Sequence, residues 1–208
     1  MSAEIDQLVW HVGGPLCTEL TGGGAAGAEW FDYAGDLVVV DGTVGWMTPE
    51  LSGDAPFVHD VPVGVYPVYV GSRAYRNEDS VEYRATTLVM PIVEPERIVG
   101  AEWDEGYDDY MEIDNYACLW DERASRATLP HWAFNGAEKS GFILNVERTI
   151  LTEEALARKG NWFNGVADQQ SGANVMAFPV PEEGITLTGF EARDAAGELT
   201  CLLLATVD

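Results

Sequence analysis

The sequence predicts a mainly β fold of the α+β class: an antiparallel, partly open sheet or sandwich with one or two short helices, formed by residues 1–208 as one domain. Three observations predict it. Short runs rich in Val, Ile, Thr and aromatic residues recur along the chain, and Gly, Pro and Asp-Gly punctuate them. Helix signals at both ends of one segment are confined to residues 151–160. A hydrophobic fraction of 47%, with aromatics at 11%, supplies enough apolar surface for a sizeable core.

The first strand signal is "DLVVVDG" (36–42), a β-branched run closed by Asp-Gly. "VPVGVYPVYVGSRAY" (61–75) follows, and Pro62 and Pro67 predict an edge strand or a bulge because Pro has no amide to give a ladder. Its expected partner is "VEYRATTLVMPIV" (81–93), across the loop "RNEDS". Further strands are expected at "YACLW" (116–120), "GFILNVERTI" (141–150) and "NVMAFPV" (174–180). "ITLTGFEAR" (185–193) and "LTCLLLATV" (199–207) flank the turn sequence "DAAG" and predict a C-terminal hairpin. Helix is expected over "LTEEALARKG" (151–160), where Thr152 caps the free amides, acids precede bases along the dipole and Gly160 ends the turn. "EPERIVGAEW" (94–103) holds a short helical turn, and "TGGGAAGAEW" (21–30) and "NGVADQQSGAN" (164–174) read as flexible loops.

The net charge of −24 restricts function. Eleven cations cannot readily build a phosphate-neutralising stripe among thirty-five anions, so nucleic acid is not the expected partner. "MSAEIDQLVWHVGGPL" lacks a cationic region followed by an apolar run, and no run of about eighteen apolar residues follows, so a soluble cytoplasmic protein with no membrane partner is expected. Cys17, Cys118 and Cys201 are odd in number and far apart, which predicts buried reduced thiols.

The charge concentrates in "AEWDEGYDDYMEID", where Glu102, Asp104, Glu105, Asp108, Asp109, Glu112 and Asp114 occur without an intervening Lys or Arg. A calcium loop opened at Asp104 places Asp109 at position six, where the turn needs Gly, and Asn115 at position twelve, where a bidentate Glu is needed. That frame fails, although a looser divalent-cation site or a carboxylate pair for hydrolysis stays open. His11, His59 and His131 form no zinc pattern, no GxSxG elbow occurs, and a Cys118–His131 dyad is most simply a core thiol and an ordinary histidine. "TGGGAAG" lacks the Lys and Ser/Thr of a phosphate loop. No cofactor is expected. Trp103, Tyr107, Tyr110, Tyr116 and Trp120 interleave with or follow the acids, and such aromatics are frequent anchors of protein interfaces.

Two resemblances follow from quoted segments. "GDLVVVDG" with "FVHDVPVGVYPVYVG" resembles the start of the bacterial domain of unknown function 4241, with its PxGxYPV strand. "RIVGAEWDEGYDDYMEIDNYACLWDERA" and "NVMAFPVPEEGITLTGFEARDAAGELTCLLLATV" are similar to its Trp-containing segment and closing strands, with a departure at 181–188. "VWHVGGPL" (9–16) resembles the opening of a bacterial immunity-protein family. The first implies a fold and no catalytic residues; the second implies toxin neutralisation.

The resulting expectation is a non-enzymatic acidic module that binds a basic protein, such as an immunity protein or inhibitor of a cationic bacterial toxin. Its expected binding residues are Trp103, Asp104, Glu105, Tyr107, Asp108, Asp109, Tyr110 and Glu112. The alternatives are a carboxylate-based divalent-metal or hydrolytic domain and an acidity that serves solubility alone.

Overall fold

A computed structural model describes residues 3–49, 59–76, 80–106, 111–129, 140–181 and 186–207, with 111–112 described in backbone only. Two antiparallel sheets form its frame, as the composition and strand runs predict, and they do not close into a barrel. The larger runs in the order β1 (Trp30–Val39), β4 (Gly64–Arg76), β5 (Val81–Pro91), β12 (Leu199–Val207), β11 (Thr186–Arg193) and β6 (Glu102–Glu105), with β7 (Met111–Glu112) also on β11. The smaller runs β3 (His59–Asp60), β2 (Thr43–Met47), β8 (Tyr116–Asp121), β10 (Asn174–Pro179) and β9 (Phe163–Val166).

Strand side chains alternate between faces, and here both faces of the central strands are apolar. On β12, Leu202 and Leu204 enter the core between the sheets, while Cys201, Leu203 and Ala205 enter a second cluster on the outer face. On β8, Ala117 and Leu119 face the shared core, and Tyr116, Cys118 and Trp120 face outward into a third cluster. Each outer face therefore needs a cover. Helix α1 (Ala3–His11), the π turn Val12–Leu16 and α2 (Cys17–Leu20) bring Leu8, Val9, Val12 and Cys17 onto the larger sheet, joined by Ile98 of α3 (Pro95–Ile98). On the smaller sheet, α4 (Glu122–Thr128) supplies Ala124 and α5 (Gly141–Ile150) supplies Ile143, Val146 and Ile150. α6 (Glu153–Leu156) follows α5. The layers are helix, sheet, sheet, helix.

Several expectations change. Residues 141–150 are helix, not strand: the Ser140 hydroxyl accepts from the Ile143 amide at 3.2 Å, and Ile143, Val146 and Ile150 share one helical face. The 151–160 helix shortens to α6, although the Thr152 cap and the left-handed Gly160 (φ 75°) stand as expected. Of the two expectations for β4 the bulge stands and the edge does not: its register shifts opposite Tyr33 and Gly35 of β1 and again between Gly71 and Ser72 toward β5. It lies between β1 and β5, but β5 pairs with it only from Tyr69 onward, so Pro67 faces β1 alone, opposite Asp36. The helices outnumber the one or two expected, because Ile5, Leu8, Val9 and Val12 follow helical spacing up to the Gly13-Gly14-Pro15 punctuation. Pro15 explains the π turn, since it has no amide for an α-helical bond and widens the turn it occupies. Both loops expected to be flexible contribute strand: β1 begins at Trp30 and β9 covers Phe163–Val166.

Two buried polar side chains fasten the sheets. Asn174 of β10 accepts from the Val38 amide at 2.8 Å and donates to the Asp36 carbonyl at 2.9 Å, mimicking a strand edge toward β1. Asp121, fully buried at the end of β8, accepts from the amides of Val40 (2.6 Å), Asp41 (2.8 Å) and Ala124 (3.0 Å). Asp121→Asn keeps the volume but replaces one acceptor oxygen with a donor that faces amides. It should lower unfolding stability by about 2 kcal/mol, read as a lower urea midpoint at an unchanged m-value; an unmoved midpoint would contradict this role.

Candidate functional site

β11 carries the sequence TLTGFEAR, and its alternation divides the site into two faces. Phe190 and Ala192 point into the outer cluster under α1, whereas Leu187 points into the core between the sheets. Glu191 shares the inward face and meets His59 from the smaller sheet. β6 then pairs with β11, setting Glu105 opposite Phe190, Asp104 opposite Glu191, Trp103 opposite Ala192 and Glu102 opposite Arg193.

The acidic stretch is therefore the outer edge of the larger sheet. Trp103, half-buried, packs on the outer cluster, and Glu102, Asp104 and Glu105 are exposed. Glu105 accepts a bond from the Thr188 hydroxyl at 3.3 Å, and Asp104 accepts from the Glu105 amide at 2.9 Å. The Gly106 amide donates to the Gly189 carbonyl at 2.8 Å, and β7 resumes pairing along the same side of β11 at Thr186 and Leu187. Of the expected binding residues, Trp103, Asp104 and Glu105 thus stand together, and Glu112 is placed by its backbone at the far end of the same edge. Tyr107, Asp108, Asp109 and Tyr110 lie outside the described residues. Among the described residues no ion pair reaches Glu102, Asp104 or Glu105, so their charge meets solvent uncompensated.

Behind this edge lies a cluster that the sequence motifs do not point to. His59 Nδ1 donates to Glu191 Oε1 at 2.9 Å, and Arg193 donates to Glu191 Oε2 through Nε (3.1 Å) and Nη2 (2.5 Å). Arg193 also donates to the Gly197 carbonyl at 2.9 Å, fixing it to the hairpin turn. His59 is 3% exposed and Glu191 7%. Two glycines on neighbouring strands seat the ring: a Cβ on Gly189 would come within 2.5 Å of Nε2, and one on Gly106 within 3.0 Å of Cε1. The signal in the sequence was the Glu-x-Arg spacing on one strand face, but its partner is 132 positions away.

Burial pushes the Glu191 carboxyl up, and the hydrogen bonds and charges of His59 and Arg193 more than reverse it, holding the group below the usual carboxylate range. The imidazole is committed to this pair and enclosed by backbone, so the arrangement clamps β3 to β11 and stiffens the strand on which β6 rests. Among the described residues no group of three or more His, Cys, Asp or Glu side chains is placed to hold a metal ion. Cys118 is fully buried, and His131 lies outside the described residues. Burial raises the Cys17 thiol to about 12 and raises Cys201 as well, so both stay protonated near neutrality.

A depressed carboxylate stabilises the fold above its unfolded-state pKa, about 4.3 for Glu, and loses that contribution as pH falls through the folded value. The stability difference between wild type and Glu191→Gln should shrink as pH falls below the unfolded Glu pKa of about 4.3. A difference that keeps growing below about pH 4 would contradict the clamp. His59→Ala should remove about 2 kcal/mol at pH 7, measured by chemical denaturation.

Scans against protein-family models, curated proteins and solved structures match nothing.

Proposed function

We propose that this chain is a non-enzymatic protein-binding module that receives a basic protein on its acidic edge strand, and that the partner is a cationic bacterial toxin which it neutralises. One observation carries the reading: on β6, Trp103 is anchored in the outer cluster while Glu102, Asp104 and Glu105 stand exposed without ion pairs among the described residues. An anchored aromatic fixes the strand, so its carboxylates are held at set positions along the sheet edge instead of on a free loop, Glu102 and Asp104 on the face of Arg193 and Glu191 and Glu105 on the face of Phe190. A row of fixed negative charge attracts a cationic surface before contact and accelerates encounter as salt is lowered. Carboxylates at a strand's spacing would stand in for phosphates in the basic groove of a nucleic-acid-directed toxin and block it. The resemblance of residues 9–16 to an immunity-protein opening points the same way. An edge strand is also a template for pairing, and acidic side chains on it disfavour pairing between copies while leaving a basic strand welcome.

The test is capture of partners from the native host, followed by stopped-flow association at several salt concentrations. A basic protein is expected, with a rate that falls steeply with ionic strength. Asp104→Asn with Glu105→Gln should slow association roughly five- to tenfold at low salt and flatten the salt dependence. Capture of only neutral or acidic proteins, or unchanged rates at low salt, would overturn the proposal.

A further inference from the structure

Helix α1 and α3 leave a groove of about 320 Å³ between them on the outer layer of the larger sheet. From α1 it is lined by Glu4, Gln7, Leu8 and His11, the i, i+3, i+4, i+7 stripe of one helical face; from α3 and its end it is lined by Pro95, Glu96 and Val99. Leu8 is buried and forms an apolar floor, while Val99 is 78% exposed on the rim. The carboxylates of the lining are Glu4 and Glu96, one from each wall. The neighbouring cation of α3, Arg97, is paired with Asp194 of the hairpin turn at 2.5 Å and adds no lining charge. Leu8, Ile98 and Trp103 belong to one hydrophobic cluster, and α3 runs through residues 99–101 directly into β6. The groove, Trp103 and Glu105 thus belong to one outer layer, and Glu102 and Asp104 stand on the other face of the same edge strand.

We propose that this groove is a second contact for the basic partner and takes a segment that presents an aliphatic or aromatic side chain flanked by Lys or Arg. The apolar side chain would lie on Leu8, Pro95 and Val99, and the flanking cations would meet Glu4 and Glu96. This rests on the reading of β6 as the partner-binding edge and adds what an acidic row alone does not supply: an apolar anchor that slows dissociation. Charge complementarity selects this occupant, because an acidic or neutral apolar segment would set two carboxylates against itself or leave them unpaired.

The probe is a fluorescent amphipathic peptide of Leu and Lys at helical spacing, compared with a Ser and Lys peptide of equal charge, both against the full chain. The Leu/Lys peptide should bind roughly tenfold tighter than the Ser/Lys peptide. Val99→Ser should abolish that preference by raising the dissociation rate, and Glu4→Gln with Glu96→Gln should weaken the Leu/Lys peptide roughly tenfold. These positions are on the surface, so an unchanged melting temperature verifies the fold. Equal affinity for the two peptides, or binding indifferent to Val99 and the two Glu substitutions, would overturn the groove. If Asp104→Asn with Glu105→Gln still slows association in that case, the acidic-edge reading stands alone. If the groove substitutions act and the β6 substitutions do not, the edge reading fails instead. A sedimenting dimer that Val99→Ser dissociates would assign the groove to a second copy of the chain and also overturn the proposal.

Discussion

Both faces of the central strands are apolar, and everything else in the architecture follows from covering them. On β12, Leu202 and Leu204 enter one cluster and Leu203 another, and each such burial contributes about 2 kcal/mol. A two-layer sandwich would leave Leu203, Phe190, Trp120 and Val175 in water. The helical segments at 3–20 and 141–150 are therefore not appendages but the outer walls of two further cores. Because cover ends at the rim, β6, one of the two edge strands of the larger sheet, meets solvent, and there the side chains change from apolar to acidic.

The rim needs more than a change of side chains. β3 contributes two residues to the smaller sheet and has little pairing of its own. His59 fastens it by crossing to Glu191, and Arg193 completes the charge balance of that carboxylate. Gly106 and Gly189 are required because the ring lies against the backbone of adjacent strands. The position of Asp104 directly across from Glu191 means that the exposed acid row and the buried clamp share a single strand pair. The proposed partner would then meet fixed charge without the entropy of ordering a loop.

The β class and most strands were legible in the sequence because β-branched runs and turn residues are local signals. The C-terminal hairpin is the clearest case, with "DAAG" closing through the Gly197 amide onto the Asp194 carbonyl at 2.8 Å. Residues 141–150 misled because the short apolar run "FIL" in "GFILNV" fits a buried strand as well as a helix, and only the Ser140 cap and the position of Ile150 separate the two. The N-terminal helix was hidden by Gly13, Gly14 and Pro15. Gly13 serves packing, since a Cβ there would lie 2.5 Å from the Phe31 ring. In the candidate site, Trp103, Asp104 and Glu105 were visible as composition, but their place on an edge depends on β11, more than eighty positions later. His59 and Glu191 carry no joint signal at all, because their contact is set by the packing of one sheet on the other.

A recognition face on the outer layer of the larger sheet is the central claim, and amide hydrogen exchange of the chain with and without its captured basic partner tests it most directly. Binding should slow exchange along Glu102–Glu105 and across Ala3–His11, and leave Phe163–Val166 and Gly141–Ile150, at the far edge and opposite layer, unaffected. Protection confined to those distant segments, with β6 and α1 exchanging as in the free protein, would contradict it.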